Sequence, residues 1–538
     1  MVRIKSVWLL AGTALVACGG GGGGAVTSPT SPSPPPAPTV AVQSGSVSRT
    51  IAGGTGINVD VVAQASNFTP TGTLYASASD SAGNFLAPVQ VTANGNGNYT
   101  LSLNTTPNLA AGRYQGNVTL KLCSDQACNT AQAVPSVSVP YELTVMTKNS
   151  AWPGDNLTAL SAISGAPDWS TFQGNNAHTG YVPIELKVDA IRLRWKRGAI
   201  NSSGTGYSAK LSPLVTSNGL FFASGSNKLT AYKEQDGTAV WSYEVGGLSY
   251  PSVNPPAVSG GVVYMAAGQQ NSTYMFAFDA ATGTVRYRAQ MSSQWDDYLP
   301  PIVVDGSVYA NGGTYGGIYG FNPTGERIFF SNALSQTEAW SPTSDGTTIY
   351  AYTGDALTMF DAKTGKLLSS IKDSEFTNYV YSVGGAGVLG ANGSVYGAAY
   401  ANGYLNGGGI GNNLTRFDTA RGFVDWRVKG VYTVTPAYAE GVLYAPNNNP
   451  YRVEARSEAD AKLLWSWTPP LSGEQSFYGA PVVTKNLLFV STNLNTYAID
   501  LRSQKVVWSY PAPGHLAISQ NGVLYIQNPD ALVTINLK

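Results

Sequence analysis

The chain has 538 residues, room for two or three domains and a large buried core. Only 12% of them are charged, about half the ~25% usual in soluble proteins, and Lys plus Arg balances Asp plus Glu at 31 each. A nucleic-acid partner needs a basic surplus that is absent here, and 61 glycines and 31 tyrosines beside two histidines indicate a β-rich, turn-rich protein.

Residues 1–17 read as an export signal. Arg3 and Lys5 precede an apolar run of about ten residues, too short for the ~20 a bilayer span requires. Leu15, Val16, Ala17 and Cys18 resemble the lipobox of bacterial lipoproteins, whose cysteine receives the lipid, so the resemblance implies lipidation at Cys18. The residue after it is Gly19, not the aspartate that favours inner-membrane retention in enteric bacteria. The implied location is the cell envelope, as an outer-membrane lipoprotein facing the periplasm or the cell surface. Residues 18–38, with six consecutive glycines and the run SPTSPSPPPAPT, cannot pack a core and predict a tether.

Between residues 39 and 146, short alternating runs such as GINVDVVAQA and NYTLSLN are separated by turn residues, which predicts a small β-sandwich. Cys123 and Cys128 are an even pair in an exported chain and predict a structural disulfide. Their four intervening residues differ from the two of a redox dithiol. The stretch from Ala111 to Val145 resembles the closing strands of bacterial Ig-like domains, in which such a pair clips a hairpin and the module acts as a spacer. Residues 147–164 read as a linker.

From residue 165 to 538 a unit of roughly 40 residues recurs, the period of a β-propeller with four short strands per blade. Each unit opens on strands such as SPLVTSNGLFFAS and closes on a turn and an aromatic strand, as in TAYKEQDGTAVW. Gly237, Gly283, Gly325, Gly365 and Gly422 occupy that turn, where positive φ favours glycine. Four residues on stand Trp241, Tyr287, Phe329, Ser369 and Trp426; Trp465 and Trp508 hold the same place after turns without the glycine. The ring is expected to fill the wedge between blades, so Ser369 predicts looser packing. Eight openings are present, but the last unit stops at Lys538 without an outer strand. The segment AIRLRWKRG, with Trp195, is expected to supply it and close an eight-bladed ring.

The runs FAFDAATGTVRY and MFDAKTGKLLS resemble the pyrroloquinoline-quinone-like (PQQ-like) repeat, and DWSTFQGNNAHTGYVP resembles the lead-in of such propellers. That resemblance implies an all-β propeller and two branches of function. One is the quinoprotein dehydrogenases, which hold PQQ and calcium in the channel with an aspartate base. The other is the BamB-like propeller lipoproteins, which bind protein partners without catalysis. Calcium and quinone call for converging oxygen ligands. Asp296, Asp297, Glu338, Asp373, Glu375 and Glu474 are the acids of the blade-linking loops, and none aligns with a quinone ligand. The aspartate of each D-x-x-T-G turn reads as turn chemistry. His178 and His515 fall in no catalytic motif.

Aromatic residues recur in the loops leading into the blades: Tyr207, Tyr250, Trp295, Tyr298, Trp340, Tyr381, Tyr432 and Tyr478. Gathered at one mouth of the channel they would suit recognition, or they would pack between blades. The sequence thus predicts a lipid-anchored envelope scaffold binding a protein partner, with no catalytic residue, cofactor or metal. A PQQ and calcium dehydrogenase is the alternative, and a glycan-binding propeller the third reading.

Overall fold

The computed structural model describes residues 35–43, 45–198, 214–225, 227–249, 251–294, 298–334, 338–376, 382–398, 400–401 and 413–538. Cys18, Tyr207, Tyr250, Trp295 and Tyr381 lie outside them, as do Asp296 and Asp297.

The N-terminal module has β1 (Thr39–Val42), β2 (Val47–Ala52), β3 (Asn58–Ser66), β4 (Tyr75–Ser79), β5 (Phe85–Gly95), β6 (Asn98–Thr105), β7 (Gly112–Cys123) and β8 (Val137–Met146). Hydrogen bonding orders them β1-β3-β6-β5-β4-β7-β8-β2, with every pair antiparallel except β2 and β8. Alternation decides which face is buried. In β3, Val59, Val61, Ala63 and Ala65 point inward while Asp60, Gln64 and Ser66 face solvent. They meet Leu101, Leu103, Val118, Leu120, Leu143 and Val145 in one apolar core. Cys123, at the end of β7, is disulfide-bonded to Cys128. The Asp125 carboxylate ties the loop between them, accepting the amides of Asn129 at 3.1 Å and Thr130 at 2.7 Å.

Eight blades follow, seven of four strands and the second of five, its innermost position being split into two short strands. The first six run from Val215 to Glu244, Ser252 to Met291, Ile302 to Ser331, Thr343 to Lys372, Val388 to Val428 and Ala437 to Trp467, and the seventh from Val482 to Tyr510. The eighth joins His515–Ile518, Val523–Gln527 and Ala531–Asn536 to β9 (Arg192–Gly198), so both ends of the propeller share one blade, as the missing outer strand predicts. A separate small sheet pairs Glu338–Ser341 with Ser382–Ala386 and Tyr400–Ala401.

Every blade slips register by one residue between its third and fourth strands, at Ala231, Ala277, Gly320, Met359, Arg416, Ala455, Ala498 and Thr534. A bulge adds right-handed twist, which each blade needs to face its neighbour. Even the split blade keeps it. Opposite the bulge stands the repeat's ring: Trp241 faces Ala231, Tyr287 faces Ala277, Phe329 faces Gly320, and Trp195 faces Thr534. In blades one to three, six and seven that residue is alanine or glycine, which leaves the ring room to lean onto the next blade, whereas Trp426 in blade five faces Arg416. The indole N–H groups of Trp195, Trp241 and Trp426 reach the carbonyls of Glu234, Ala280 and Glu458 in the following turn, at 3.1, 2.9 and 3.2 Å.

At the fourth blade the pattern changes. Ser369 pairs with Met359 in place of a small residue, and Met359 is buried. A Cβ placed on Gly422, the turn of the fifth blade, would meet nothing within 4 Å. The expected slack is therefore present at the turn, and a methionine fills part of the wedge from the neighbouring strand. Met359→Ala is expected to cost about 3 kcal/mol, in the range for a buried methionine. Adding Ser369→Trp should recover part of that loss. Denaturant unfolding of both single variants and the double measures the coupling; strictly additive effects would show that the two side chains do not share the space.

The two modules meet at the outer strand of the seventh blade. Outer strands of the first to sixth blades carry exposed apolar side chains, among them Val240, Ile328, Leu368 and Leu464. Val506–Tyr510, by contrast, is buried throughout, because β2 packs on it. Ser509 Oγ accepts the Ala52 amide at 2.8 Å and lies 2.8 Å from the Thr55 hydroxyl, while Arg49 pairs with Asp189. Along the connection between modules, Trp152 lies under the Lys196 ammonium at 3.5 Å, with the Tyr510 ring 5.3 Å away.

Candidate functional site: the two mouths of the channel

Each inner strand of an antiparallel blade begins at one end of the channel and turns at the other. The turning end is occupied by the chain itself. From Asp168 to Val182 the lead-in passes the inner strands in blade order. Its carbonyls at Trp169 and Ser170 accept the amides of Thr216 and Val258, in blades one and two, at 2.9 and 2.8 Å. Thr171 Oγ1 and Asn176 Nδ2 donate to Pro301 and Val303 at the third blade, at 2.7 and 2.6 Å. The carbonyls of Asn176, Ala177, Thr179 and Gly180 then take the amides of Ser344, Leu389, Tyr438 and Val483, in blades four to seven, at 2.8 to 2.9 Å.

His178 pins this lacing. It is fully buried, with Nδ1 2.6 Å from the Phe172 carbonyl and Nε2 2.6 Å from that of Pro342. Burial lowers its pKa, against the pull of those two carbonyls. His515 sits edge-on to Tyr478, ring centroids 5.1 Å apart, and burial holds its pKa down at about 4. Ser341 Oγ lies 3.3 Å from His178 Nε2 but donates to the Pro300 carbonyl at 2.7 Å, and among the described residues no carboxylate is bonded to either histidine.

The opposite mouth carries the loops from one blade to the next. Of the eight aromatics expected there, the four that are described do not form an open platform. Tyr298, Trp340 and Tyr432 are buried, and Tyr478 is half-buried. Tyr298 is held by its amide on Asn254 Oδ1 at 2.8 Å and its hydroxyl on Ser293 Oγ at 2.6 Å. Trp340 lies in the small parallel sheet opposite Gly385. The Tyr432 hydroxyl donates to Glu454 at 2.6 Å. Of the two roles left open by the sequence, recognition and packing, the burial of Tyr298, Trp340 and Tyr432 fits packing. A ring at such a position gains more by burial than by facing water.

The carboxylates described near this mouth are likewise engaged, Asp296, Asp297 and the Glu338 side chain lying outside the described part. Glu454 accepts from Tyr432, Arg452 and Arg456; burial pushes its pKa up, and the bonds from Arg456, Tyr432 and Arg452 hold it below the ordinary value. Glu474 accepts from Thr492 at 2.6 Å and Tyr497 at 2.9 Å. Asp373 is bonded to Arg427 at 2.7 Å, with Glu375 3.8 Å from the same guanidinium. The turn aspartates cap their own turns: Asp279 accepts the Thr282 amide at 3.0 Å and Asp361 that of Thr364 at 2.8 Å. Among the described residues, no three His, Cys, Asp or Glu side chains are grouped to hold a metal ion.

Two features of the mouths escape sequence reading. The lead-in has no alternation, so nothing in it signals that it spans seven blades. Tyr315, between glycine pairs in NGGTYGGI, is the most exposed large hydrophobic side chain described, at 78%, in the loop joining the second and third strands of the third blade. That loop shares the mouth with the inter-blade loops. An aromatic flanked by glycines in a loop is the signal that could have found it.

Glu234 is a third case, at the closure. It is buried, with Ser519 Oγ at 2.8 Å and the Tyr525 hydroxyl at 3.0 Å. Burial raises its pKa, opposed by those two bonds. A carboxyl raised on folding contributes stability that is complete below its unfolded pKa and lost as pH rises through the folded value. From about pH 4.5, the ordinary glutamate value, upward, the wild type should therefore lose melting temperature more steeply than Glu234→Gln. Parallel pH–stability curves for the two proteins would refute this.

This architecture is a PQQ-repeat propeller of eight blades closed through a shared blade. A family model described as outer membrane protein assembly factor BamB matches residues 154–328 and 277–535, and the chain belongs to that family. Among solved structures, BamB from Moraxella catarrhalis is similar at a TM-score of 0.49 and 14% identity, over 64% of this chain and 99% of that one. A protein of unknown function from Bacteroides caccae aligns at a TM-score of 0.29 and 11% identity, over 39% of this chain and 77% of that one. No curated protein matches the chain.

Proposed function

We propose that this protein is a non-catalytic scaffold of the bacterial cell envelope, anchored in the outer membrane through a lipid on Cys18, that binds a protein partner at the open mouth of its propeller. The observation that carries this reading is the contrast between the two ends of the channel. One end is laced by the chain's own lead-in, and the acids described near the other, Asp373, Glu454 and Glu474, are taken up by tyrosine, threonine and arginine side chains. What the open mouth offers a partner is loop surface with Tyr315 projecting from it. Family membership supports the same reading, as does the lipobox-like start followed by a tether.

The N-terminal module is, in this proposal, an Ig-like spacer between tether and propeller. Its strand order supports that: with β1, β3, β6 and β5 taken as A, B, E and D, and β4, β7 and β8 as C, F and G, it follows the ABED and CFG arrangement of Ig sandwiches. The test places a photo-crosslinking residue at position 315 of the full chain in its own cells, with an equivalent at the exposed rim residue Leu368. Crosslinks to a defined envelope protein at 315 and not at 368 are expected. Titration with PQQ and calcium is the companion measurement: saturable stabilisation with dye reduction would overturn the scaffold reading in favour of a dehydrogenase.

A further inference from the structure

Between the N-terminal module and the seventh and eighth blades lies a cleft of about 640 Å³, the size of a small-ligand site and at a module boundary where such sites are common. Arg49, Arg113 and Arg192 line it against one acid, Glu142, in a chain whose net charge is zero. Glu142 is already bonded to Arg113 at 2.8 Å. Arg49 pairs with Asp189, and Arg192 Nη1 donates to the Asp189 carbonyl at 2.6 Å, so guanidinium outnumbers carboxylate here.

Two buried polar groups lining the cleft are left without partners. Arg49 is 8% exposed and its Nε has none; Tyr510 is 1% exposed and its hydroxyl has none. Leaving a buried donor unsatisfied costs about 1–3 kcal/mol, more for a charged group, so both atoms, although covered, would gain from an acceptor that a side-chain shift brings within reach. Burial also holds the Arg49 pKa down at about 10, a cost that an added anion would relieve.

The wall of the cleft tells a peptide from a sugar acid. Lys196 and the tilted Tyr510 ring already pack on Trp152, which leaves less of its ring for a pyranose to stack on. The other wall is the edge strand β2, bonded on one side only, to β8. Its outward amides at Ser48 and Ala52 are taken by Asp189 and Ser509. By the two-residue period of a strand, the Thr50 amide faces the same way, and Thr50 lines the cleft.

We propose that this cleft binds an acidic peptide segment in extended form, its carboxylate taken by Arg49 and Arg192 and its backbone continuing the β2 edge at Thr50. The inference goes beyond the mouth-binding reading and does not depend on it. The probe is a blocked, fluorescein-labelled octapeptide of alternating glutamate and serine, titrated into the full chain by anisotropy beside its lysine–serine counterpart. Saturable, salt-sensitive binding of the acidic peptide alone is expected, weakened about tenfold or more by Arg192→Glu, as loss of one charge-assisted bond implies. Arg113→Glu, at a more exposed position, should weaken it as well, and Arg286→Glu, on the second blade, should not. No saturable binding, equal binding of the lysine peptide, or indifference to both cleft variants would overturn the proposal. Displacement by free glucuronate at equal concentration would reassign the cleft to a sugar acid.

Discussion

Gly365→Ala is expected to destabilise the propeller by about 3–5 kcal/mol, while the same change at Gly422 costs about 1–2 kcal/mol. Both glycines sit at the same turn of successive blades with φ of +67° and +77°, so the backbone penalty for alanine is shared. They differ in what the new methyl would meet. At Gly365 it would lie 2.1 Å from Cγ of Phe329, the ring of the preceding blade, whereas at Gly422 nothing is within 4 Å because that preceding blade has Ser369. The excess at Gly365 thus isolates the energy of seating a ring on a neighbour's turn. Denaturant midpoints at unchanged slope provide the measurement. Equal losses at the two glycines would mean that the turn conformation alone, and not the ring, dictates glycine.

The second large effect is at the closure. Trp195→Ala is expected to cost about 4 kcal/mol, the range for removing a fully buried tryptophan, and to expose the shared blade to proteolysis. A gentler pair separates packing from hydrogen bonding. The Trp195 indole donates to the Glu234 carbonyl at 3.1 Å, but the Trp508 Nε1, equally buried, has no partner. The following blade explains the difference. Blade eight has no turn between its third and outer strands, since the chain's two ends meet there, and the carbonyl that other blades offer is missing. Trp195→Phe should therefore lose about 1 kcal/mol from the bond. Trp508→Phe should be nearly neutral, because it deletes an N–H that burial already penalises. Melting temperatures of the two variants decide it; an equal loss at both would deny the bond any role.

The propeller was legible because its repeat couples two local signals, a positive-φ turn and a ring four residues on, that recur at blade spacing. The closing strand followed from counting, since an eighth opening without an outer strand leaves Trp195 as the unmatched ring. The mouth was legible only in part. Composition revealed Tyr298, Trp340 and Tyr432 but not the side of the loop on which each ring would settle, which depends on contacts with residues far along the chain such as Asn254 and Glu454. The lacing of the lead-in was illegible for the same reason: its bonds are made to the backbones of blades up to 300 residues away, and backbone groups carry no sequence signature. The junction of the modules rests on Ser509 and Asp189, polar residues that look like ordinary surface positions until β2 bonds to them.

The lacing of the lead-in also sets an order of events in time. A chain is made from its N-terminus, so Asp168 to Val182 and β9 exist before any blade does, yet their bonding partners extend to Val483 and to Asn536. The first part of the propeller to be synthesised is the last whose bonds can all be made. Contacts of such long sequence separation slow folding and lengthen the life of open intermediates. Until the final blade arrives, the lead-in can bond only the blades already made and β9 has no strand to pair with, so the ring closes last.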